Sequence, residues 1–337
     1  MARKATAQDV ADLVGVSRSA VSLVLNGRAE GNIAKHKQQA IIEAARKLNY
    51  TPNAVALSLR SQRTRTIGVI TWSASNGLPG RILHAGLLAA TARNYLLIIF
   101  DVSGGQEDQD KALTVLEDRQ FDALLVIAPE LVDFTPTEQM INVPTLLVNC
   151  ADPRAGLTSL VPDQTAAAST AAQLLIGSGH VKIGLLTFPP DTVETRLRLA
   201  GVQEALVKTG LEALVQIADN RDTESGYRAA GELLSSPERP TGLICTHERL
   251  ALGAVLVAAR LGLRIPEDLS VVSLDDGECL AGQLAPPLTM VERPDRLIAE
   301  QAVAMLLDWL DGAEQPVRQL TFVCPTALRG SVAAPLY

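Results

Sequence analysis

VADLVGVSRSAVSLVLNG, residues 10–27, is the stretch from which the rest of the chain can be read. Val10, Ala11, Leu13 and Val14 recur at helical spacing behind Thr6, whose hydroxyl suits an N-cap, so residues 7–14 predict a short amphipathic helix. Gly15 and Val16 break it, because a sharp turn between crossing helices needs a residue tolerant of positive φ with an apolar plug beside it. A second helix starts at once. Ser17 is its natural cap, Ala20, Val21, Val24 and Leu25 form a buried stripe, and Asn26-Gly27 closes it with residues that accept the left-handed conformation. Arg18, Ser19, Ser22 and Leu23 are left facing outward. In a helix-turn-helix, the first turn of the second helix meets base edges in the DNA major groove. A third amphipathic helix over about residues 34–48 carries Ile41, Ala44, Ala45 and Leu48 on one face and completes a three-helix domain. Read alone, the same stretch also suits a small helical module with a coincidental Gly turn.

TPNAVALSLRS, residues 51–61, adds a second tool. Thr51 can cap, Pro52 suits the first helical position, and Asn53 to Leu59 give about two turns. Isolated helices below about 12 residues are marginal in water, so this one is expected to fold only against something. Arg60, Arg63 and Arg65 follow, a basic run that favours phosphate. Leu57 and Leu59 beside arginines suit an apolar wedge that unstacks base steps from the minor groove.

With these phrases in hand, the chain closely resembles the lac-repressor (LacI/GalR) family of bacterial transcription regulators. The resemblance spans almost the whole length. It is carried by residues 10–27, by LNYTPNAVALSLRSQRTRTIGVI (48–70), SGHVKIGLLT (178–187), RLRLAG (196–201) and GLRIPEDLSVVSLDD (262–276), in that order and spacing. It implies a small all-α helix-turn-helix head and an α/β, two-lobed, periplasmic-binding-protein-like body with parallel sheets. The implied divisions are a DNA-binding domain (1–50), a hinge helix and linker (51–65), and an effector-binding and dimerisation domain (66–337). Within the last, one lobe takes about 66–162 and 291–323 and the other about 163–290 and 324–337. On the DNA side the candidates are Thr6, Ser17, Arg18, Ser19, Ser22, Leu23, Asn26, Tyr50, Asn53, Ala56, Leu59 and Arg60, with Leu59 as the intercalating hinge leucine.

Charge divides as the domains do. Residues 1–66 carry eleven Lys and Arg against four Asp and Glu, and the remainder nineteen against thirty-three, a split hidden in the total of −7. A basic head on an acidic body confines DNA attraction to one end. No apolar run approaches the roughly 18 residues of a membrane span, and no signal-peptide core opens the chain, so a cytoplasmic protein is expected. Cys150, Cys245, Cys279 and Cys324 are scattered without paired spacing, which argues for reduced, partly buried thiols and against a zinc site. No cofactor or metal is expected.

From Thr66 onward, short β-rich runs alternate with amphipathic helices. IGVIT precedes residues 81–95, LLIIFD precedes 109–119, ALLVIA and TLLVN precede 165–176, and KIGLLT precedes 196–208. LVQIA, 225–234, GLICT, 251–261 and SVVSL then follow. Strict alternation predicts parallel sheets covered on both faces, and there are too many strands for one ordinary sheet. By the resemblance the chain crosses between two lobes three times, near residues 161–163, 289–293 and 322–326.

Ligands of open α/β sheets bind beyond the carboxyl ends of the strands. Residues just after strands are therefore the effector candidates: Trp72 with Ser73, Asn149, His247 and Asp275, joined by Arg198, which like Asp275 matches an effector-contacting position in the family. A carboxylate and a guanidinium can fork onto vicinal hydroxyls or hold a polar heterocycle. Each has a plainer reading. Asp275 or Asp276 can cap a turn, Arg198 can lie on a solvated helix face, Trp72 can be core or interface, and His247, where the family usually has Asn, can satisfy a backbone group. Asn149 is open in the same way, and Trp309 reads as packing. The sequence departs from the family at Ser75-Asn76-Gly77-Leu78-Pro79, which lacks the usual pocket aromatics, and at Leu23, where Arg is common.

The expected partners are a near-palindromic double-stranded DNA operator, a small-molecule effector (a carbohydrate, with a nucleoside, purine or protein co-regulator as the alternative), and a second copy of the chain as homodimer or tetramer. An enzyme is not expected. THERL (246–250) opens like a zinc-protease helix, but the second ligand would fall at Ala251. A solute-binding protein shares the body, yet needs export and has no use for a basic helical head.

Overall fold

The structure, a computed structural model, describes residues 5–27, 29–51, 63–72, 77–103, 105–154, 156–275, 280–314 and 319–336. The candidates Asn53, Ala56, Leu59, Arg60 and Ser73, together with Asp276 and Cys279, lie outside the described residues. The chain divides into two compact units, 1–65 and 66–337.

In the first unit, α1 (Ala7–Val14), α2 (Arg18–Leu25) and α3 (Lys35–Lys47) enclose Val10, Ala11, Val21, Val24, Ala29, Ile41, Ala44 and Ala45. Thr6 starts α1 reciprocally: its hydroxyl accepts from the Asp9 N–H at 3.3 Å, and the Asp9 carboxylate accepts from the Thr6 N–H at 2.8 Å. Gly15, at φ 71°, ends the helix in the left-handed region where a side chain is strained. Leu13, expected in the buried stripe, is instead 50% exposed. Ala7, Val10, Ala11 and Val14 share one arc of α1, and position 13 falls roughly 60° outside it.

The second unit holds two six-stranded sheets. In the first, β1 (Thr66–Thr71), β2 (Leu96–Asp101), β3 (Ala123–Asp133), β4 (Thr145–Ala151), β5 (Thr158–Pro162) and β11 (Gln319–Phe322) lie in the order β11-β5-β4-β3-β1-β2, all parallel. The second contains β6 (Ile183–Thr187), β7 (Ala213–Ile217), β8 (Gly242–Cys245), β9 (Ser270–Leu274), β10 (Thr289–Val291) and β12 (Thr326–Ala327), in the order β12-β10-β9-β8-β6-β7. Only β12 runs antiparallel to its neighbour. Helices α4 (Gly77–Ala92) and α11 (Asp295–Leu310) pack with one face of the first sheet; α5 (Gln106–Arg119) and α6 (Glu138–Ile141) supply the core on the other. The second sheet is covered by α7 (Gln164–Gly177) and α8 (Val193–Val207) on one face, and by α9 (Thr223–Leu234) and α10 (Glu248–Leu261) on the other. Trp309 packs against the first core.

Several body helices begin about a turn before the apolar periodicity does: α5 at Gln106, α8 at Val193, α10 at Glu248. Their first turns carry Glu107, Asp108, Glu194 and Glu248, which complement the helix dipole but contribute no apolar stripe. β3 also outruns the predicted ALLVIA. Its register with β4 shifts between Ile127 and Val132, so residues 128–131 stand against Asn149 alone, and Asn149 lies inside β4 and not at its end.

Between α7 and α8 the fit allows no side chain at Gly201, where a Cβ would run into the Thr165 carbonyl and approach Ala168 Cβ to 3.1 Å. Gly201→Ala is expected to cost about 1–3 kcal/mol of body stability by overpacking. A urea titration checks this, and an unchanged midpoint would show that the two helices separate freely.

Candidate functional site

The head presents one short, locked helix end. Ser17 Oγ accepts from the Ala20 N–H at 3.1 Å, fixing the start of α2, while Val21 and Val24 anchor its opposite face. Arg18 and Ser19 stand exposed in that first turn, and Ser22 and Leu23 are half-buried beyond it. The turn contains no carboxylate, so the positive helix end and Arg18 act together toward an anion. Asn26 donates to the Ser22 carbonyl at 2.6 Å and to its hydroxyl at 3.1 Å, closing the helix. Thr6 is exposed, and Tyr50 is half-buried against the head core, its N–H donating to Ala45 at 2.8 Å.

In the body, the unusual backbone marks the place. Asp275, just past β9, has φ 67°, and Asn149 in β4 has φ 56°, left-handed values that bulky residues avoid. Both carboxylate oxygens of Asp275 are buried with no hydrogen-bond partner among the described residues. The Arg198 and Arg293 guanidiniums each stand 3.9 Å from Oδ2. Burial works to raise the Asp275 carboxyl, but Arg293, then His247 and Arg198, outweigh it and hold the group below its ordinary range. Asn149 donates through Nδ2 to the Ala128 carbonyl at 3.1 Å, leaving Oδ1 unpartnered, and Arg293 Nη2 is unpartnered as well. Each such group costs about 1–3 kcal/mol if nothing meets it. Gathered near the carboxyl ends of two sheets, they describe a site completed from outside.

Arg198 is not on a solvated face; it is 3% exposed. Its Nη2 pairs with Glu194, one helical turn earlier, at 3.0 Å; Nε donates to Gln164 at 2.8 Å and Nη1 to the Thr246 carbonyl. Glu194 Oε2 accepts in turn from Gln164 at 3.2 Å and from the Leu131 N–H at 2.9 Å. The β3 bulge is held at two further points. Arg293 donates to the Pro129 carbonyl at 3.2 Å, and Arg221 pairs with Glu130 at 2.5 Å while lying 5.0 Å over the Phe188 ring. Burial nevertheless raises the Glu130 carboxyl. Three side chains from or near the second lobe thus grip residues 129–131 of the first.

His247 turns out to satisfy the backbone: its Nδ1 accepts from the Arg249 N–H at 3.2 Å as the N-cap of α10, and its ring meets Phe188 edge-on at 5.9 Å. Trp72 packs edge-on against Phe134 at 5.6 Å. Arg198, Asp275 and His247 are therefore brought together, while Asn149 and Trp72 make no hydrogen bond or ion pair with them among the described residues. Gln164, Glu194, Arg293 and Asp295 escaped the sequence reading. The Glu194–Arg198 spacing of four and the Arg-Pro-Asp at a lobe crossing were the available signals. Cys150, Cys245 and Cys324 are buried free thiols, and burial pushes Cys150 and Cys324 up to about 12.

Residues 6–53 match the family of bacterial regulatory proteins, lacI family, and residues 172–332 match a periplasmic binding protein-like domain. The chain is 30% identical to the ribose operon repressor of Escherichia coli K12 over 311 residues, 90% of this chain and 92% of that protein. It is 32% identical to the HTH-type transcriptional repressor PurR of Erwinia tasmaniensis over 340 residues, 98% and 97% of the two. Among solved structures it is similar to the lac repressor dimer bound to operator and the anti-inducer ONPF (TM-score 0.80, 26% identity, 98% of this chain and 100% of that one). It is also similar to the transcriptional regulator CelR–cellobiose complex (TM-score 0.68, 26% identity, 97% and 99%). No described helix is long and apolar enough to cross a membrane.

Burial holds the His247 and His180 imidazoles below their ordinary 6.5. As pH falls through that value the unfolded chain takes up protons that the folded chain refuses, so the stability present above 6.5 is lost on acidification. The melting midpoint should drop between about pH 7.5 and about pH 5.5, and His247→Gln should make the drop shallower. Parallel pH profiles for variant and parent would remove His247 as a contributor.

Proposed function

The chain belongs to the lacI family of bacterial regulatory proteins, and from that premise we propose that it is a sequence-specific transcriptional repressor whose operator affinity is set by a small molecule held between the lobes of its body. One observation supports the DNA role most directly: the capped first turn of α2, with Arg18 and Ser19 exposed and no carboxylate beside them. In this reading Arg18 and Ser19 meet base edges, Ser22 and Leu23 flank them, and Thr6, Ser17, Asn26 and Tyr50 lie toward the backbone. Asn53, Ala56, Leu59 and Arg60, outside the described residues, supply the minor-groove wedge. Such a role belongs in the bacterial cytoplasm.

A second copy of the chain fits the body's surface. Leu96, Ile98 and Ile99 on the edge strand β2, with Leu87 and Leu88 on α4, leave large apolar side chains exposed. A dimer would let two heads share a near-palindromic operator, each reading one half-site. In the body, Arg198 and Asp275 are the effector contacts in this reading, joined by His247, Asn149 and Trp72. A sugar suits their mixture of acceptors and guanidinium, and both the ribose operon repressor and the cellobiose complex of CelR are relatives in sequence or fold. The similarity to PurR keeps a purine or nucleoside as the second reading.

Selecting bound fragments from genomic DNA with the full-length protein should return near-palindromic sites. Arg18→Ala should relax preference at one half-site position by about 1–3 kcal/mol. Leu59→Ala should weaken specific binding far more than nonspecific binding. Unchanged base preference in the first variant would exclude Arg18 as a reader, and equal losses in the second would exclude the wedge.

A further inference from the structure

The atoms left without partners at the lobe junction are unequal in kind. Among the described residues, Asp275 offers two acceptor oxygens, Asn149 Oδ1 and Asp295 Oδ2 one each, and Arg293 Nη2 the one donor. All four side chains are more than nine-tenths buried, so what meets these atoms has to enter the site. A fitting ligand is rich in hydroxyl or N–H donors. A phosphate or carboxylate brings acceptors only and faces four more.

The cations do not offset this. Arg198 is committed to Glu194 at 3.0 Å, Arg221 to Glu130 at 2.5 Å, and Arg293 to Asp295 at 3.0 Å. Asp295 is the one whose placement needs a reason. It is the first residue of α11, a helix with no side-chain cap, and it directs Oδ1 onto Arg293 Nε while Oδ2 stands 3.8 Å from Arg81. Arg293 Nη2 is the one buried guanidinium nitrogen without a hydrogen-bond partner among the described residues, so without Asp295 it would be a ready anion site. Resting on the effector reading above, we infer that Asp295 sets the charge class of the effector: by neutralising Arg293 it reserves the junction for an uncharged, hydroxyl-rich ligand, a free sugar or other polyol, and shuts out sugar phosphates and sugar acids.

Calorimetric titration of the full-length protein tests this with D-ribose against D-ribose 5-phosphate, D-glucose against D-glucose 6-phosphate, cellobiose, and adenine. At least one uncharged sugar should bind, with its phosphorylated counterpart about 100-fold weaker or undetectable. Asp295→Asn, similar in shape but uncharged, should close that gap by about tenfold or more, and Asp295→Glu should keep it. Circular dichroism and operator binding verify that both variants fold. A wild-type preference for a sugar phosphate, or for adenine over every sugar, overturns the inference while leaving the effector reading intact. So does a folded Asp295→Asn that discriminates as the parent does. Failure of every compound to bind, with operator binding normal, overturns the effector reading itself and this inference with it.

Discussion

A carboxylate kept charged in the interior without a hydrogen bond among the described residues is the constraint around which the body is organised. Isolated, an ionised Asp275 at 2% exposure would be too costly to keep and would take up a proton. It stays charged because Arg198 and Arg293 approach it from different elements, both at 3.9 Å, and because the backbone fixes its position. The Asp275 N–H donates to Val291 at 3.1 Å, tying the end of β9 to β10, and the left-handed φ turns the side chain where extended backbone would not. Neither arginine comes close enough to satisfy the oxygens directly. The result is a charge that is compensated electrostatically yet still open to a donor.

The same arginines also carry the contact between lobes. Arg198 is held by Glu194, and Glu194 holds the Leu131 N–H; Arg293 faces Asp275 and also holds the Pro129 carbonyl. Both guanidiniums thus face Asp275, and Arg293 reaches the β3 bulge directly while Arg198 reaches it through Glu194. A molecule that rearranges the contacts to Asp275 perturbs those to the bulge, and it alters the lobe angle only to the extent that it binds one arrangement better than the other. The bulge makes this geometry possible. A β3 in unbroken register would have paired these backbone groups with β4 and offered the second lobe nothing to grip.

What the sequence made legible was local. The head follows from i, i+3, i+4 spacing, one Gly and two hydroxyl caps; the sheets follow from short apolar runs alternating with helices. Asp275 could be named from its place after SVVSL. Arg198 was harder, because an arginine inside a helix reads as solvent-facing until Gln164, Glu194, Thr246 and Asp275 close around it. Glu194 and Asp295 were hidden for a related reason: acids in a first helical turn already have an ordinary explanation in the helix dipole. Burial of these charges is decided by how two sheets face each other across three crossings, which no window of sequence records. The β3 extension was missed because Pro129 and Glu130 look like a turn, and only pairing with β4 further on returns the chain to the sheet.

The division of charge along the chain bears on why the head can be so small. Eight residues of α2 would offer, in the proposed role, one turn of base readers, too few to single out a site among many competitors. Nonspecific attraction from eleven basic residues in 1–66 would then dominate unless something limited it. Thirty-three carboxylates against nineteen basic residues in the remainder supply that limit by keeping the body off phosphate. Specificity then has to come from joining two such heads, which is what the proposed pairing through the exposed apolar side chains of β2 and α4 would supply.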